Sequence, residues 1–367
     1  MKISVEKNLL LDAVNIASKA VPSKTTSDIL KCLLLDATSE KLKIIGNDNE
    51  IGIETNVPGE IHEHGSIAVN SDVFSNIVRK LPDGMVNISV SGEKISIQCE
   101  KVRFNILGME GDEFAFLPEV SREYGIEISQ FTLKELITKT IFSISSNQTN
   151  IMMTGELFEV KDNILRVSSL DGHRISRRQV ELKKSYDDCS AVIPGKTLSE
   201  ISKIIGADME KTARVYFTER HVLFEFNDTI VVSRLIEGRY FDVDSMLSNE
   251  FKIRVHIRRQ EFLSCLERSM LLTREEDKKP VILTIHDHDM EIRIRSAMGS
   301  LNESIEVEKE GDDLTIGFNP RFMSDALRVI DEEEIDIYLQ SQRSPAFIRD
   351  ENTYSYLVLP INFINID

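Results

Sequence analysis

The stretch SSLDGHRISRR, residues 168–178, sets an acid, a glycine, an imidazole and a guanidinium side by side, directly after the strand-like run ILRVSS. Asp171 and His173 are the residue types of an acid–base pair, and a hydrolase using them is one reading of the segment. Such a site needs a nucleophile beside the histidine and donors for a developing oxyanion. DGHR brings neither, and Asp-Gly is foremost a turn signal. The segment reads rather as a turn that presents His173 and Arg174 to something that docks there.

Other candidate chemistry is sparse. His286-Asp287-His288-Asp289 alternates ligand-type residues, and on a strand His286 and His288 would share a face. That segment falls where a hairpin should turn, however, and no third ligand accompanies it; His62 and His64 are weaker still. Cys32, Cys99, Cys189 and Cys265 lie far apart without a CxxC pair, so they read as buried free thiols rather than a zinc or redox motif. No Walker loop, dinucleotide fingerprint or nucleophile elbow occurs. Neither a metal nor a cofactor is expected.

The elements that must position these residues follow from pattern. A chain of 367 residues with 41% hydrophobic content is too long for one core and implies several. Its longest apolar runs, such as CLLL at 32–35 and YLVLP at 356–360, fall far short of the roughly 20 residues that span a bilayer. The opening KISVEKNLLLDAV reads as strand then helix rather than as a signal peptide, so a cytoplasmic location is expected. The chain repeats itself. GSIAVNSDVFSNIVRKL from Gly65, CSAVIPGKTLSEISKII from Cys189 and DDLTIGFNPRFMSDALRVI from Asp312 align at offsets of 124 and 123. A second series runs through KISVEKNLLLDAV, IEISQFTLKELIT and KIRVHIRRQEFLSCL. Each predicted helix is followed by period-two segments such as VNISVSGEKISIQCE, which turns at Ser91-Gly92-Glu93. A strand, helix, strands unit of about 60 residues therefore occurs six times, outside the usual solenoid range. Paired units give three domains, at 1–122, 123–247 and 248–367.

Charge singles out the helices. The chain carries −17, yet the helix windows 5–20, 71–81, 132–142, 195–206, 257–272 and 319–330 together carry +5, which leaves −22 for everything else. One helix with a spare lysine is unremarkable. Five of six with the same sign suggest a mildly cationic helical surface on an acidic protein.

With this layout, DGHRIS at 171–176, EGRYFDVDSML at 237–247 and YSYLVLPIN at 354–362 make the chain resemble the bacterial DNA polymerase III beta subunits, the sliding clamps, from residue 1 to about 363. The resemblance implies an α+β chain of three duplicated domains of the DNA clamp fold, each of two strand, helix, strands units, with helices lining a ring and sheets outside. It implies a head-to-tail homodimer around double-stranded DNA, without catalytic activity or cofactor. Twelve helices about 9–10 Å apart would enclose a bore wide enough for a duplex and a layer of water. Its partners would be the DNA polymerase III alpha subunit, the clamp loader, and other polymerases and repair proteins bound through short peptide motifs, with no role for a membrane. A protein-binding scaffold of the same fold without DNA is the alternative, beside the hydrolase.

Position by position, the resemblance implies a peptide groove of Asn150, Met153, Leu170, Gly172, His173, Arg174, Ile175, Phe241, Met246, Asn319, Phe322, Arg343, Pro345, Leu357, Leu359, Pro360 and Ile361. The apolar members suit hydrophobic anchors, Gly172 lets a backbone approach, and Arg174 is expected to hold a carbonyl or carboxylate. The family pattern is departed from at Asn150, where Arg is common, at Phe241, where Pro is common, and at Ile151-Met152, where some relatives carry aromatics. Lys24 and Asn147 match loop positions that reach DNA in the family; Arg79, Lys80, Lys196, Lys203, Arg258 and Arg328 are helix candidates on charge alone. The subunit contact would pair the edge segment VRFNIL, through Phe104 and Ile106, with MLLTREED, through Leu271 and Leu272. The tail after Ile361, NFINID, is expected either to fold over the groove or to hang free.

Overall fold

The structure is a computed structural model that describes residues 1–247, 250–273, 279–350 and 353–363. Residues 274–277 of MLLTREED and the end of the tail, 364–367, lie outside the described residues. Seven α-helices occur among those described: α1 Lys7–Ala17, α2 Ser71–Lys80, α3 Gln130–Thr140, α4 Gly195–Ile204, α5 Val243–Leu247, α6 Arg259–Met270 and α7 Pro320–Val329. Six fall on the expected windows, and each follows a strand almost without a break. The seventh, α5, forms in a stretch whose polar composition reads as a connector.

Local chemistry accounts for where two of these helices start. Asn70 closes α2 by accepting from the Val73 amide at 3.0 Å, and Asn319 closes α7 by accepting from the Arg321 amide at 3.0 Å. Pro320 occupies the first turn of α7, where no amide donor is needed. Each such cap contributes about 1 kcal/mol. Helix α2 then buries Phe74, Ile77 and Val78, and α7 buries Met323, Ala326 and Leu327, the one-three-four spacing of a helix with a single apolar face.

Two compact units result. The first comprises 1–134 and 196–235 and the second 135–195 and 236–367. In the first unit, a five-stranded antiparallel sheet runs in the order Glu60–Glu63, Lys2–Glu6, Met85–Ser91, Lys94–Cys99, Val102–Leu107. A nine-stranded sheet accompanies it. There Ile51–Val57 pairs antiparallel with Thr229–Arg234, so strands of the first and second sequence repeats share one ladder, and the Thr55 and Thr229 hydroxyls meet at 3.0 Å. In the second unit, a seven-stranded sheet runs Gly155–Leu170, Arg174–Pro194, Tyr354–Val358, Ala346–Arg349, Glu334–Leu339, Ile253–Arg258, Glu308–Glu310. Its four-stranded companion runs Gly299–Glu306, Asp289–Ser296, Val281–Ile285, Leu314–Phe318. The compact units cut across the sequence repeats because two sheets continue from one repeat into the next.

One detail corrects an expectation. VRFNIL is indeed an edge strand, half-burying Phe104 and Ile106 against the core and exposing Leu107 by 70%. Leu271 and Leu272, by contrast, belong to the turn that ends α6 and not to a strand. The open edge near them is Gly299–Glu306: a Cβ on Gly299 would lie 3.7 Å from the Leu272 side chain. Leu271 is 74% exposed and Met298, just before that edge, 58%. Elsewhere, His286 sits in the turn between two paired strands with its Nδ1 2.8 Å from Asp313, and among the described residues no three His, Cys, Asp or Glu side chains converge as metal ligands. All four cysteines are free, three of them buried and Cys189 half-buried. No helix among the described residues is long and apolar enough to cross a membrane.

Phe74, wholly buried on α2, and Val73, exposed beside it, make a matched pair. Phe74→Ala is expected to lower the stability of the first unit by about 3–5 kcal/mol, and Val73→Ala to change it by less than about 0.5 kcal/mol. Urea unfolding followed by far-UV circular dichroism measures both, and equal effects would contradict the packing described.

Candidate functional site

The second unit carries an apolar groove of about 330 Å³ lined by Met153, Leu170, Gly172, His173, Arg174, Ile175, Phe241, Met246, Pro345, Leu357 and Leu359. Its floor is a consequence of strand register. Leu170 stands opposite Ile175, Ile175 opposite Leu357, and Leu357 opposite Phe347, so four apolar side chains fall in one row across four antiparallel strands. Directly opposed residues point to the same face of a sheet, and all four are buried, together with Leu157, Val192, Tyr240 and Val243 beneath them. The Tyr240 hydroxyl donates to the Gly155 carbonyl at 3.3 Å, which seats the ring of the floor.

The rim comes from loops and chain ends. Met246 projects from α5, and Met153 from a short 3-10 turn over Ile151–Thr154 that Asn150 caps by accepting from the Met152 amide at 3.2 Å. Leu359 is pinned on both sides: its own amide donates to the His173 carbonyl at 2.8 Å, and the Ile361 amide donates to the Gly317 carbonyl at 2.8 Å. Gly172, at φ +89°, takes a backbone conformation that a side chain would strain, with the Met153 methyl 4.0 Å from where a Cβ would stand.

The turn itself settles the acid–base question. Asp171 Oδ1 accepts from the amides of His173 at 2.9 Å and Arg174 at 3.1 Å, and Oδ2 accepts from Arg174 Nε at 2.9 Å. The His173 imidazole instead stacks on Phe322, with centroids 6.1 Å apart. Asp171 is a turn former whose partners are the turn amides and Arg174, an arrangement that does not favour the hydrolase reading. Arg174 also differs from expectation. It is buried, donating to Asp171, to Asp325 Oδ2 at 2.8 Å and to the Phe142 carbonyl at 2.5 Å, with its guanidinium carbon 4.3 Å from the Phe322 ring centre. It holds a carbonyl and two carboxylates, as its chemistry suggests, but those of its own chain. The groove is therefore an apolar site whose one buried cation is already matched by acids.

Six of the expected groove residues do not line it. Asn150 and Asn319 act as caps, Phe322 lies under His173 and Arg174, Arg343 is exposed in the turn after Leu339, and Pro360 and Ile361 lead the chain away toward Gly317. Sequence reasoning missed Asp325 and the Phe142 carbonyl as holders of Arg174. Asp325 lies 151 residues from Arg174, and as an acid one turn before Arg328 it read only as a charge offset.

The expected DNA contacts also sort themselves. All eight are exposed. Lys196 pairs with Asp48, Lys203 with Glu200 at 2.7 Å, and Arg328 with Glu267 at 2.9 Å and Asp325 at 3.7 Å. Among the described residues Lys24, Arg79, Lys80 and Arg258 make no ion pair. The helical cations available to a polyanion are thus fewer than the charge count suggests.

Comparison with known proteins bears on all of this. The family models described as the N-terminal, central and C-terminal domains of the DNA polymerase III beta subunit match residues 1–118, 127–242 and 244–362. The beta sliding clamp of Bacillus subtilis (strain 168) is 33% identical over 376 residues, covering 98% of this chain and 99% of that protein. The crystal structure of a protein of Eubacterium rectale ATCC 33656 described as a DNA polymerase III beta subunit superposes with a TM-score of 0.95 at 52% identity, over 99% of this chain and 100% of the other. The Bacillus subtilis sliding clamp structure gives 0.95 at 32% identity, with the same coverage.

Replacing Arg174 by Met leaves Asp171 and Asp325 buried without their cation, which is expected to cost about 3–5 kcal/mol. Arg174→Lys keeps the charge but lacks the fork that reaches three acceptors, so its loss should be intermediate. A denaturation midpoint for Arg174→Met equal to that of the parent would contradict the buried network.

Proposed function

The chain belongs to the DNA polymerase III beta subunit family, and from that premise we propose how it works: two copies close head to tail around duplex DNA, while the groove of each captures a short apolar segment of a partner. The protein is a DNA sliding clamp, a processivity factor with no catalytic activity of its own. DNA and the replicative polymerase are the partners that family membership implies; the clamp loader, other polymerases and repair proteins are further occupants of the same groove. The three repeats, at 1–122, 123–247 and 248–367, serve as its domains, and the work is done in the cytoplasm.

The observation that carries the peptide-binding reading is the groove's apolar lining, with Leu170, Ile175 and Leu357 in register at its base under a rim of Met153, Met246 and Leu359. Two apolar anchors of an extended peptide suit such a floor, and its charges would stay outside. Ring closure is supported by two open sheet edges with exposed apolar flanks. We place the subunit contact between Val102–Leu107 of one copy and Gly299–Glu306 of the other, with Phe104, Ile106 and Leu107 facing Leu271, Leu272 and Met298. Pairing the edges removes two aggregation-prone strands at once, and a twofold rotation closes the contact into a ring.

Retention then comes from topology. Phosphate attraction is independent of sequence and of position along the duplex, so a few cations without an ion pair among the described residues, such as Lys24, Arg79, Lys80 and Arg258, hold DNA loosely and let it slide. The deciding experiment loads the protein onto nicked circular DNA and passes it through a sizing column. It is expected to stay with circles and to be lost once they are cut at one site; equal loss from both would overturn the ring. Leu107→Asp combined with Leu271→Asp should halve the mass measured by sedimentation equilibrium. An unchanged dimer would remove this interface.

A further inference from the structure

We propose that Asp325 is a positioning residue for the groove, and that its carboxylate, divided between Arg174 and Arg328, makes the hold on a peptide depend on whether a DNA phosphate occupies Arg328. The inference rests on the groove and helix-surface readings above.

The residues form a line of alternating charge. Asp171 holds Arg174, Arg174 donates to Asp325 Oδ2 at 2.8 Å, Asp325 Oδ1 lies 3.7 Å from Arg328, and Arg328 reaches Glu267 on α6 at 2.9 Å. One end is the turn that carries Gly172 and His173 at the groove. The other is the exposed flank of α6 and α7. Burial grades along the line, since Arg174 and Asp171 are almost wholly enclosed, Asp325 largely so, and Arg328 and Glu267 about half exposed. The groove follows Arg174 because its guanidinium packs on Phe322, and Phe322 stacks on His173.

Two states differ by one side chain. In the state seen, Arg328 leans on Asp325 at a distance too long for a hydrogen bond and shares its charge. In the other, Arg328 swings out to a phosphate, a rotamer change open to a half-exposed side chain. Asp325 then serves Arg174 alone, and a second cation has withdrawn from its neighbourhood with its own charge offset by the phosphate. Both changes strengthen the field that holds the Arg174 cation in place. The turn at 171–173 is held more firmly, and an apolar peptide meets a better ordered wall. Linkage requires that a bound peptide favour DNA by the same factor.

The test uses the full-length dimer and a fluorescein-labelled octapeptide whose only apolar residues are Leu and Phe, titrated at low salt with and without a short duplex at saturation, its occupancy followed by a second label. Duplex is expected to tighten peptide binding about fivefold, at the lower end of ordinary allosteric coupling. Asp325→Asn and Arg328→Gln should each bring the ratio to one, and Arg328→Lys should restore part of it. A purely structural role for Asp325 would weaken peptide binding equally with and without duplex, and that result overturns the proposal. So does a parent protein that binds both ligands with no change in peptide affinity. Failure of the parent to bind the peptide at all would bring down the groove reading, and this inference with it.

Discussion

The antiparallel register of Arg174–Arg178 against Tyr354–Val358 is the constraint from which the second unit takes its form. Side chains alternate faces along a strand, so a slip of one residue would turn Ile175 away from the groove and bring the polar Ser176 in. The same pairing joins strands of two sequence repeats into one seven-stranded sheet. It thereby uses edges that separate domains would have left open. Thr229–Arg234 against Ile51–Val57 does the corresponding service in the first unit. The largest cores stay within single repeats, among residues 3–99 and 253–358, while two of the sheets are shared between repeats.

Electrostatics is arranged on a different principle. The chain is strongly acidic, and most cations on its helices already face an acid on a neighbouring turn or strand. Exposed pairs of this kind contribute little to stability, but they lower the positive charge offered to a polyanion. A clamp has reason to be built so. Each phosphate neutralised adds to the salt-sensitive grip on DNA, and a tight grip would oppose sliding. Buried charge is treated otherwise: Arg174 is enclosed by two carboxylates and a carbonyl, and burial holds the carboxyl of Glu156, on the first strand of the same sheet, well above the usual carboxylate range.

Legibility in the sequence followed the range of the interactions involved. Helices α2 and α7 could be read because cap, apolar face and preceding strand lie within about a dozen residues of one another, and the repeats displayed the pattern more than once. The hairpin around Gly92 and the turn at Gly172 were readable because positive φ favours glycine. Eleven groove residues came from resemblance to a family; pattern alone marked Leu170 and Leu357 only as apolar. What stayed hidden was long-range. Nothing near Arg174 announces Asp325, no periodicity tells Ile51–Val57 that its partner is Thr229–Arg234, and the apolar MLL of residues 270–272 gave no sign that a helix end, rather than a strand, would carry it.

Leu359 is held by hydrogen bonds on either side, to the His173 and Gly317 carbonyls. This side of the cleft is preorganised: little backbone entropy remains to be surrendered when a ligand arrives. The rim also carries the methionines at 153 and 246, whose unbranched thioether chains can refill irregular gaps. Recognition is thus divided between a stiff jaw that measures a guest and a pliant one that conforms to it, a division suited to serving many different guests in turn.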